Sequence, residues 1–462
     1  MGANTTKDAR TAATEIVQTL QANGHIAYFA GGCVRDQLLG GSPKDYDIAT
    51  DARPERIKAL FRGAHGVGAH FGVMLVKNGG HTIEIATFRR DGNYADGRRP
   101  DSVTFAAAEE DAHRRDFTIN GVFYDPIADE IIDYVNGRAD LENQILRAIC
   151  IPSQRFEEDH LRLMRAVRFA AVLGFKIEPD TWSAVCTQSG SLGRISVERT
   201  RDEFSRIMVS PGRVRGFDLL VDSGLMNYII PEIDALKGCD QPPAYHPEGD
   251  VFVHTRLMLS LLPENVSLPL VLSVLLHDIG KPATRTWDEA DQRIRFNGHA
   301  ELGAEMAETI LRRLKYPNDI IEATVIGVAN HMRFMNVQNM RVAKLKRFMA
   351  RDTFADEMEL HRVDCLGSHG MLDNYTFLQE QREAFASEPL IPPPLITGND
   401  LIALGWKPSP RFAEILTEIQ THQLEGTLTS RDEALSWIAQ QSATGTPPDS
   451  PGRDDTPSRP AG

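Results

Sequence analysis

Two aspartates, Asp45 and Asp47, flank a single tyrosine in the segment "PKDYDIAT", shortly after the glycine pair Gly31-Gly32. On a strand, residues i and i+2 project from the same face, so these carboxylates are expected to lie together. Adjacent carboxylates repel and raise each other's pKa, and a hard divalent cation such as Mg²⁺ relieves this through oxygen ligation. The spacing predicts a Mg²⁺ site. The alternative, a solvated acidic turn, is disfavoured by the motif "GGCVRD" upstream.

Residues around this pair fit phosphate chemistry. Glu84, in the strand-like segment "TIEIATF", is a candidate third carboxylate. Two Mg²⁺ ions ~4 Å apart can activate an attacking oxygen and stabilise a leaving phosphate. Backbone amides at Gly31 and Gly32 can approach phosphate oxygens closely, and Arg35 can add charge-assisted hydrogen bonds.

Two further motifs carry paired polar residues suited to nucleotide binding. In "RRDFTIN", Arg115 can hold a triphosphate, while Asp116 and Asn120 can bond ribose hydroxyls. In "EEDHLR", Asp159 and Arg162 are three residues apart and are expected to share one helix face. A carboxylate and a guanidinium together match the donor and acceptor edge of cytosine and adenine, and refuse guanine and uracil. The alternatives are surface salt bridges of little energetic value.

Histidines and aspartates recur through the later helical part of the chain. A lone histidine is more often structural than a ligand. Six nitrogen and oxygen ligands on separate helices nevertheless fit a site for one or two metal ions, and imidazole suits Mn, Fe, Co, Ni or Zn. The candidates are His254, His277, Asp278, His299, His331 and Asp364, with His246 as a weaker one.

The periodicity predicts an α+β chain. Residues 1–150 alternate short β-branched segments with helical ones, which indicates a small mixed sheet, and helical periodicity follows from about Gln154. Segments rich in proline or glycine at 237–250 and 389–400 are candidate linkers, and residues 441–462 have the composition of a disordered tail.

Composition narrows the class of protein further. The net charge of −14 argues against a nucleic-acid binder that uses its whole surface, but residues 155–215 carry eleven Arg or Lys against eight Asp or Glu. Five cysteines without a CxxC pair indicate reduced thiols in the cytoplasm. No apolar run approaches the ~18 residues that a membrane helix needs.

At the level of whole motifs, the chain resembles class II tRNA nucleotidyltransferases, whose heads belong to the DNA polymerase β superfamily. The likeness rests on successive blocks in order, including "GGCVRDQLLGGSPKDYDIATDARP", "EIATFRRDGNYADGRRPDSVTF", "RRDFTINGVFYDP" and "EEDHLRLMRAVRFAAVLGF". The later blocks "LLHDIGKPATRT", "NHMRF" and "HRVDCLGSHG" resemble the HD domain that some bacterial members carry.

The resemblance implies an enzyme that adds CCA to the tRNA 3′ end from CTP and ATP, without membrane or DNA partners. It assigns ribose selection to Asp116 and base selection to Asp159 and Arg162. The loop at 91–103 corresponds to a flexible loop needed for adding the final A. Arg165, Arg168 and Glu158 are expected nearby.

For the later part, the resemblance assigns His254, His277, Asp278 and Asp364 as the core metal ligands, with His299 and His331 completing a second site. The implied activity is phosphohydrolysis, such as that of 2′,3′-cyclic phosphates, with a transition metal such as Mn, Co or Ni. The alternatives are an enzyme that adds only the terminal A, a poly(A) polymerase, or an HD hydrolase whose head is a relic. A nucleotide-binding regulator is disfavoured by two complete ligand sets, and the oligomeric state is not readable.

The expected organisation is a mixed-sheet head, an all-α neck, an all-α HD domain, a helical C-terminal segment and a tail. The predicted boundaries are 1–150, 151–236, 237–390, 391–440 and 441–462.

Overall fold

The computed structural model describes residues 7–66, 72–92, 102–243 and 245–444. Most of the predicted loop at 91–103 and the tail beyond Thr444 lie outside these residues. Within them, no helix is both long enough and apolar enough to cross a membrane.

The N-terminal part is a seven-stranded sheet with helices packed against it. The strand order is β3-β4-β5-β2-β1-β8-β9, in which only β2 and β5 run parallel, so the sheet is mixed as predicted. The strands of this sheet are β1 (Ala27–Ala30), β2 (Asp47–Thr50), β3 (His65–Gly66), β4 (Val73–Asn78), β5 (His81–Thr87), β8 (Phe123–Asp125) and β9 (Glu130–Ile132). A hairpin accompanies it, formed by β6 (Arg89–Asp91) and β7 (Val103–Phe105).

The helices of this part are short, and they cover the apolar side chains of the sheet. Phe29, Ile48 and Ile85 are buried in one cluster with Ile16 and Leu20 of the first helix. The helices are α1 (Ala9–Ala22), α2 (Gly32–Leu38), α3 (Pro54–Leu60), α4 (Ala108–His113) and α5 (Gly137–Glu142).

From residue 152 onward the chain is almost entirely helical, as the periodicity predicts. One strand pair, β10 (Ile145–Leu146) with β11 (Lys176–Ile177), joins the sheet region to the helices. The next helices are α6 (Pro152–Glu158), α7 (Leu161–Leu173), α8 (Pro179–Gln188), α9 (Val197–Met208), α10 (Arg213–Asp222) and α11 (Met226–Ile229).

The third part adds one short hairpin, β12 (Thr286–Asp288) with β13 (Arg293–Arg295), to a bundle of helices. Its helices are α12 (Val251–Leu261), α13 (Leu268–Leu276), α14 (Lys281–Thr284), α15 (His299–Arg313), α16 (Asn318–Asn330), α17 (Val342–Met349), α18 (Phe354–Gly367) and α19 (Asp373–Ala384). The C-terminal helices are α20 (Gly398–Ala403), α21 (Arg411–Leu424) and α22 (Arg431–Thr444). The last one continues four residues past the predicted start of the tail.

A single apolar cluster extends from Phe117 through the helices of residues 152–236 to Val363. Polar contacts reinforce the junction. The buried Arg213 guanidinium donates to the carbonyl oxygens of Leu262, Pro263 and Glu264 at 3.0–3.2 Å. The Pro/Gly-rich segment at 237–250 therefore connects two helical parts that share one core.

Candidate functional site

One cavity of about 520 Å³ lies between the sheet and helix α7. Nearly all the residues predicted to bind nucleotide line it, and they come from five separate segments of the chain. The lining includes Gly31, Gly32, Arg35, Asp47, Glu84, Arg115, Asp116, Asn120, Asp159, Arg162, Arg165 and Arg168.

The two carboxylates of the opening motif differ in placement. Asp47 is the first residue of β2, whereas Asp45 precedes the strand and is not among the residues that line the cavity. The expectation that both project from one strand is therefore wrong, because β2 begins only at Asp47. The parallel register that places Ile48 beside Ile85 brings Asp47 next to Glu84.

The electrostatics of Asp47 show that these acidic groups are close. Surrounding protein displaces water from the Asp47 carboxylate although it is solvent-accessible, and this desolvation raises its pKa to about 6 together with the charges of Glu84 and Asp45. Arg115 acts in the opposite direction. A carboxylate whose pKa is raised by burial and by neighbouring negative charges is one that a divalent cation would stabilise in its charged form, so the donor set fits a hard metal ion.

A network of arginines forms the opposite wall of the cavity. The guanidinium of Arg35 donates to the Asn120 side-chain oxygen at 2.8 Å, and Arg115 donates to the Asn120 carbonyl at 3.1 Å. Arg35, Arg165 and Arg168 all lie over the ring of Phe169, 4.1–5.2 Å from its centroid. The aromatic face supports a concentration of positive charge suited to a triphosphate.

Asp116 is buried beneath this wall and already has partners. Its Oδ2 accepts from Arg165 at 2.8 Å, and its Oδ1 accepts from Asn120 at 3.0 Å and from the Phe117 amide at 2.9 Å. Burial alone would raise the pKa of Asp116, but the charge of Arg165 and the bond from Asn120 lower it to about 2. Asp116 is thus ionised near neutral pH, and its carboxylate positions Arg165.

The predicted base-reading pair is not on one helix. Helix α6 ends at Glu158, and Asp159 has extended backbone angles before α7 begins at Leu161. The expectation of a shared helical face is wrong, since one helix ends before Asp159 and the next begins only at Leu161. Both side chains nevertheless line the same cavity.

Each member of this pair is held by a neighbour. Asp159 forms an ion pair with Arg199 at 3.0 Å. Arg162 is 8% exposed and donates to Glu158 at 2.6 Å and to the Arg155 and Arg114 carbonyl oxygens at 2.9 and 3.1 Å. Fixed side chains of this kind can present a rigid hydrogen-bonding edge to a base.

Sequence reasoning missed two residues of this site. Phe169 lies under the guanidinium groups of Arg35, Arg165 and Arg168, and nothing in the sequence distinguishes it from the other apolar residues of α7. Asp111 is 1% exposed and accepts from both Arg114 at 2.8 Å and Arg115 at 3.0 Å. Asp111 lies on α4, and its spacing of three and four residues from Arg114 and Arg115, just after the end of that helix, was an available signal.

The second site is a row of buried histidine and carboxylate side chains in the helical part of the chain after residue 237, which we call the helical half. Three overlapping groups have ligand atoms within 4.8 Å of one another: His246 with Glu248 and His254, His254 with His277 and Asp278, and Asp278 with His299 and His331. The structure brings all six predicted ligands into this region, since Asp364 lies 3.1 Å from His254 Nε2. Among the described residues, no group of this kind occurs in the sheet region.

Hydrogen bonding orients three of these histidines alike. The Nδ1 atoms of His277, His299 and His331 lie 2.6–2.9 Å from the carbonyl oxygens of Val274, Phe296 and Val328. Only a protonated Nδ1 can donate to a carbonyl, so each neutral ring keeps its Nε2 lone pair for the interior. Metal-binding histidines typically have this arrangement.

The interior of the cluster has unsatisfied ligand atoms. His277 Nε2 and Asp278 Oδ1 are buried without a hydrogen-bond partner among the described residues. Asp278 Oδ2 lies 3.0 Å from His277 Nε2 and 2.6 Å from the Lys281 ammonium. Burial lowers the pKa of His331 to about 4, so its ring is neutral. Buried lone pairs that converge on one carboxylate fit a metal ion.

A cavity of about 470 Å³ opens beside this cluster and is lined by Asp278, His299, His331 and Asp364. Lys281, which sequence reasoning did not single out, also lines it, and its ammonium lies 2.6 Å from Asp278. The signal was its position three residues after Asp278. Glu248 lies in the predicted linker, 2.7 Å from His254 and 2.9 Å from His246. Its signal was its position two residues after the candidate His246.

Three successive parts of the chain match known families. Residues 27–147 match the family described as "Poly A polymerase head domain", residues 174–237 match "Probable RNA and SrmB- binding site of polymerase A", and residues 251–364 match "HD domain". A head domain of this family and an HD domain both imply divalent metal ions.

Individual relatives are similar over part of their length. A CCA-adding enzyme of Lactiplantibacillus plantarum is 42% identical over 239 residues, which are 51% of this chain and 58% of the relative. One from Geobacillus stearothermophilus is 44% identical over 215 residues, which are 46% of this chain and 53% of the relative. The matched region thus spans little more than half the length of these relatives.

Solved structures extend the likeness over the whole fold. The Bacillus stearothermophilus CCA-adding enzyme in complex with CTP superposes with a TM-score of 0.73 and 27% identity, covering 95% of this chain and 98% of that one. The Thermotoga maritima CCA-adding enzyme complexed with tRNA has a TM-score of 0.60 at 19% identity, covering 93% and 94%, and supports the fold alone.

Proposed function

We propose that this chain, a member of the family of CCA-adding enzymes and poly(A) polymerases, adds CCA to the tRNA 3′ end from CTP and ATP. The observation that carries the proposal is the single cavity in which acidic residues of the sheet face arginines of helix α7. The similarity to the CCA-adding enzyme solved with CTP supports it. A tRNA substrate would place the protein in the cytoplasm.

The residues have distinct proposed roles. Asp45, Asp47 and Glu84 would hold Mg²⁺, which would stabilise the charge that develops when the tRNA 3′ hydroxyl attacks the α-phosphate and pyrophosphate leaves. Gly31, Gly32, Arg35, Arg115 and Arg168 bind the triphosphate, and Asn120 and Asp116 support the ribose side of the cavity. Asp159 and Arg162 select cytosine and adenine. No covalent intermediate with the protein is needed, since positioning and charge stabilisation suffice for phosphoryl transfer.

The decisive experiment supplies tRNA lacking CCA, tRNA ending in C and tRNA ending in CC with each nucleoside triphosphate separately. The proposal expects CTP to extend the first two and ATP to extend the third. An enzyme that adds only the terminal A would extend only the tRNA ending in CC, and a poly(A) polymerase would add many adenylates to unrelated RNA. Either result would replace the proposal.

We further propose that the helical half is a metal-dependent phosphohydrolase, because buried histidine lone pairs converge on Asp278. The ligands are His254, His277, Asp278, His299, His331 and Asp364, and histidine-rich ligation favours Mn, Co or Ni. Hydrolysis of 2′,3′-cyclic AMP, assayed with each of these metals and with Mg²⁺, tests this. Absence of turnover with all of them would leave the nucleotidyltransferase proposal intact and remove this one.

We also propose the domain boundaries predicted above: a head at 1–150, a neck at 151–236, an HD domain at 237–390 and a helical segment at 391–440.

A further inference from the structure

The segment at 237–250, which the sequence predicts as a linker, lies against the histidine cluster. Its two ends are joined by hydrogen bonds, because the Gly238 amide donates to Asp250 at 2.7 Å and the Val251 amide donates to the Cys239 carbonyl at 3.1 Å. The residues between them therefore form a loop that is closed at the start of α12. This loop contributes polar side chains to the interior of the helical half.

Glu248 is the acidic side chain of this loop that reaches the cluster. Its side chain is 8% exposed, and its Oε1 lies 2.7 Å from His254 Nδ1 and 2.9 Å from His246 Nδ1. In the part of the chain that the structure describes, these two imidazoles are its ion-pair partners, and its Oε2 is buried without a hydrogen-bond partner. Burying a carboxylate without an arginine or lysine at ion-pair distance is costly, so packing alone does not explain its place.

His254 differs from the other three proposed histidine ligands in what its Nδ1 atom faces. Those three direct Nδ1 to a backbone carbonyl. His254 is fully buried, and its Nδ1 is closest to the Glu248 carboxylate, with the Gly367 carbonyl farther away at 3.4 Å. A carboxylate accepts a hydrogen bond more strongly than a neutral carbonyl. The proton of a neutral His254 ring is therefore expected on Nδ1, where Glu248 accepts it.

The opposite ring nitrogen of His254 then has a free lone pair that faces a second carboxylate. His254 Nε2 lies 3.1 Å from Asp364 Oδ1. A lone pair and a carboxylate oxygen at this distance repel each other, and a cation bound by both atoms removes the repulsion. Both residues are proposed metal ligands, so the proton on Nδ1 and the metal ion on Nε2 would occupy opposite sides of one ring.

We propose that Glu248 is a positioning residue of the metal site, which holds His254 in the tautomer whose Nε2 lone pair is available to a transition-metal ion. The inference rests on the proposed metal-dependent phosphohydrolase. Glu248 does not itself bind the ion, because its Oε1 is already within hydrogen-bond distance of two ring nitrogens. A carboxylate behind a ligating histidine fixes the orientation of the ring and makes it a stronger ligand.

A second contact from the same loop supports this role. Gln241 is 4% exposed, and its Oε1 accepts from the Lys281 ammonium at 2.6 Å. Lys281 in turn lies 2.6 Å from Asp278, another proposed ligand. The loop therefore contacts the surroundings of the metal site at two separate positions, through Gln241 and through Glu248.

The test measures Mn²⁺ binding to the full-length protein by calorimetry, and Co²⁺ binding by its visible absorption spectrum. Glu248→Gln keeps the size of the side chain but removes its charge, whereas Glu248→Ala removes the hydrogen-bond acceptor altogether. The matched control is Glu380→Gln, which removes an exposed carboxylate of α19 in the same half. Melting temperatures in a chelator establish that each variant is folded before metal is added.

We expect Glu248→Ala to bind Mn²⁺ about 10–100-fold more weakly than the wild type, the range typical for loss of a group that orients a metal-binding histidine. Glu248→Gln should bind it about tenfold more weakly, because an amide oxygen is a weaker acceptor than a carboxylate. Both variants should change the Co²⁺ spectrum, and Glu380→Gln should match the wild type. A role limited to packing predicts wild-type affinity and spectrum for Glu248→Gln, and that result would overturn the inference.

The number of bound ions distinguishes positioning from direct ligation. If Glu248→Gln lost one bound ion per chain while the rest of the metal bound with wild-type affinity, the carboxylate would be a ligand of a separate ion. The inference would then be wrong. An unchanged number of ions bound with lower affinity supports it.

Hydrolysis of 2′,3′-cyclic AMP separates this inference from the proposed function. Wild-type protein that binds none of Mn²⁺, Co²⁺ and Ni²⁺ would overturn both the phosphohydrolase proposal and the role of Glu248. Wild-type protein that binds metal without hydrolysing the substrate would overturn only the phosphohydrolase proposal. Metal binding as tight in both Glu248 variants as in the wild type would overturn only the inference.

Discussion

Asp116 and Arg165 form an ion pair of 2.5 Å across the wall of the head cavity. The carboxylate comes from the segment after α4 and the guanidinium from α7, so this contact joins the sheet region to the helices. Because its folded pKa is about 2, below the ordinary 3.8, Asp116 stabilises the fold at every pH above the ordinary value, and this contribution disappears as pH falls through about 2.

We expect Asp116→Asn to reduce the free energy of unfolding at pH 6 by about 2 kcal/mol, from a pKa shift of nearly two units. Urea unfolding at pH 6 and near pH 2.5 measures it, and the difference from wild type should shrink at the lower pH. Asp180→Asn, an exposed change on α8, is the control. A difference that is constant with pH would contradict the ion-pair explanation.

Asp47 should differ from Asp116, because removing its charge is expected to stabilise the fold while it lowers activity. Its folded pKa of about 6 lies above that of the unfolded chain, so the metal-free fold loses stability as pH rises from about 4 to 6. Asp47→Asn carries no charge, and we expect a higher melting temperature than wild type at pH 7.5 in a chelator, with little difference at pH 4.5.

The same substitution should lower nucleotide incorporation at least ~100-fold, because it removes a proposed metal ligand, and Asp45→Ala should do likewise. Glu55→Gln, an exposed change on α3, is the control for both measurements. Incorporation near the wild-type rate in either aspartate variant would refute the metal assignment.

Base selection depends on two side chains that other residues hold in place. We expect Asp159→Ala and Arg162→Ala to raise incorporation of UTP and GTP relative to CTP and ATP by about tenfold or more, because a bidentate contact discriminates by about 1–3 kcal/mol. Arg199→Ala should shift selectivity in the same direction by releasing Asp159. Primer extension with each nucleotide alone measures the ratios. Unchanged selectivity in the first two variants would remove the template role.

Substitutions in the histidine cluster test whether the two proposed activities are independent of each other. His277→Ala, Asp278→Ala removes two adjacent proposed ligands, and we expect loss of phosphohydrolysis and of Mn²⁺ binding by calorimetry. CCA addition should persist, since the head has its own carboxylates. Glu322→Gln, an exposed change on α16, is the control. Loss of both activities in a folded double variant would mean that the sites are coupled.

The sequence predicted which residues belong to the same site better than it predicted how their side chains are arranged within that site. The motifs predicted that residues as distant in the sequence as Arg35 and Arg168 bind the same nucleotide, because each motif contains side chains suited to one part of it. The break at Asp159 was not predictable from apolar periodicity, which continues across it. Glu248 lies two residues after the candidate His246 and contacts it at 2.9 Å, whereas its contact with His254 comes only from tertiary packing.

The hydrogen-bond and ion-pair partners of a site residue were harder to predict than its membership of the site. A carboxylate such as Asp116 looks available in a sequence, yet tertiary contact with Arg165 and Asn120 occupies both of its oxygens. Asp111 shows the reverse, since its helical spacing from two arginines was visible but its burial was not.

The apolar cluster that extends from Phe117 to Val363 limits which parts of the chain can be lost during evolution. Helices on either side of residue 237 cover each other's apolar faces, so a lineage cannot discard the histidine-bearing half without exposing the half that holds the base-reading residues. It can discard the histidines themselves at far smaller cost. Descendants that lost the proposed phosphohydrolase activity would therefore retain the helices as scaffolding, and the ligand residues, not the length of the chain, would show which members keep the proposed second site.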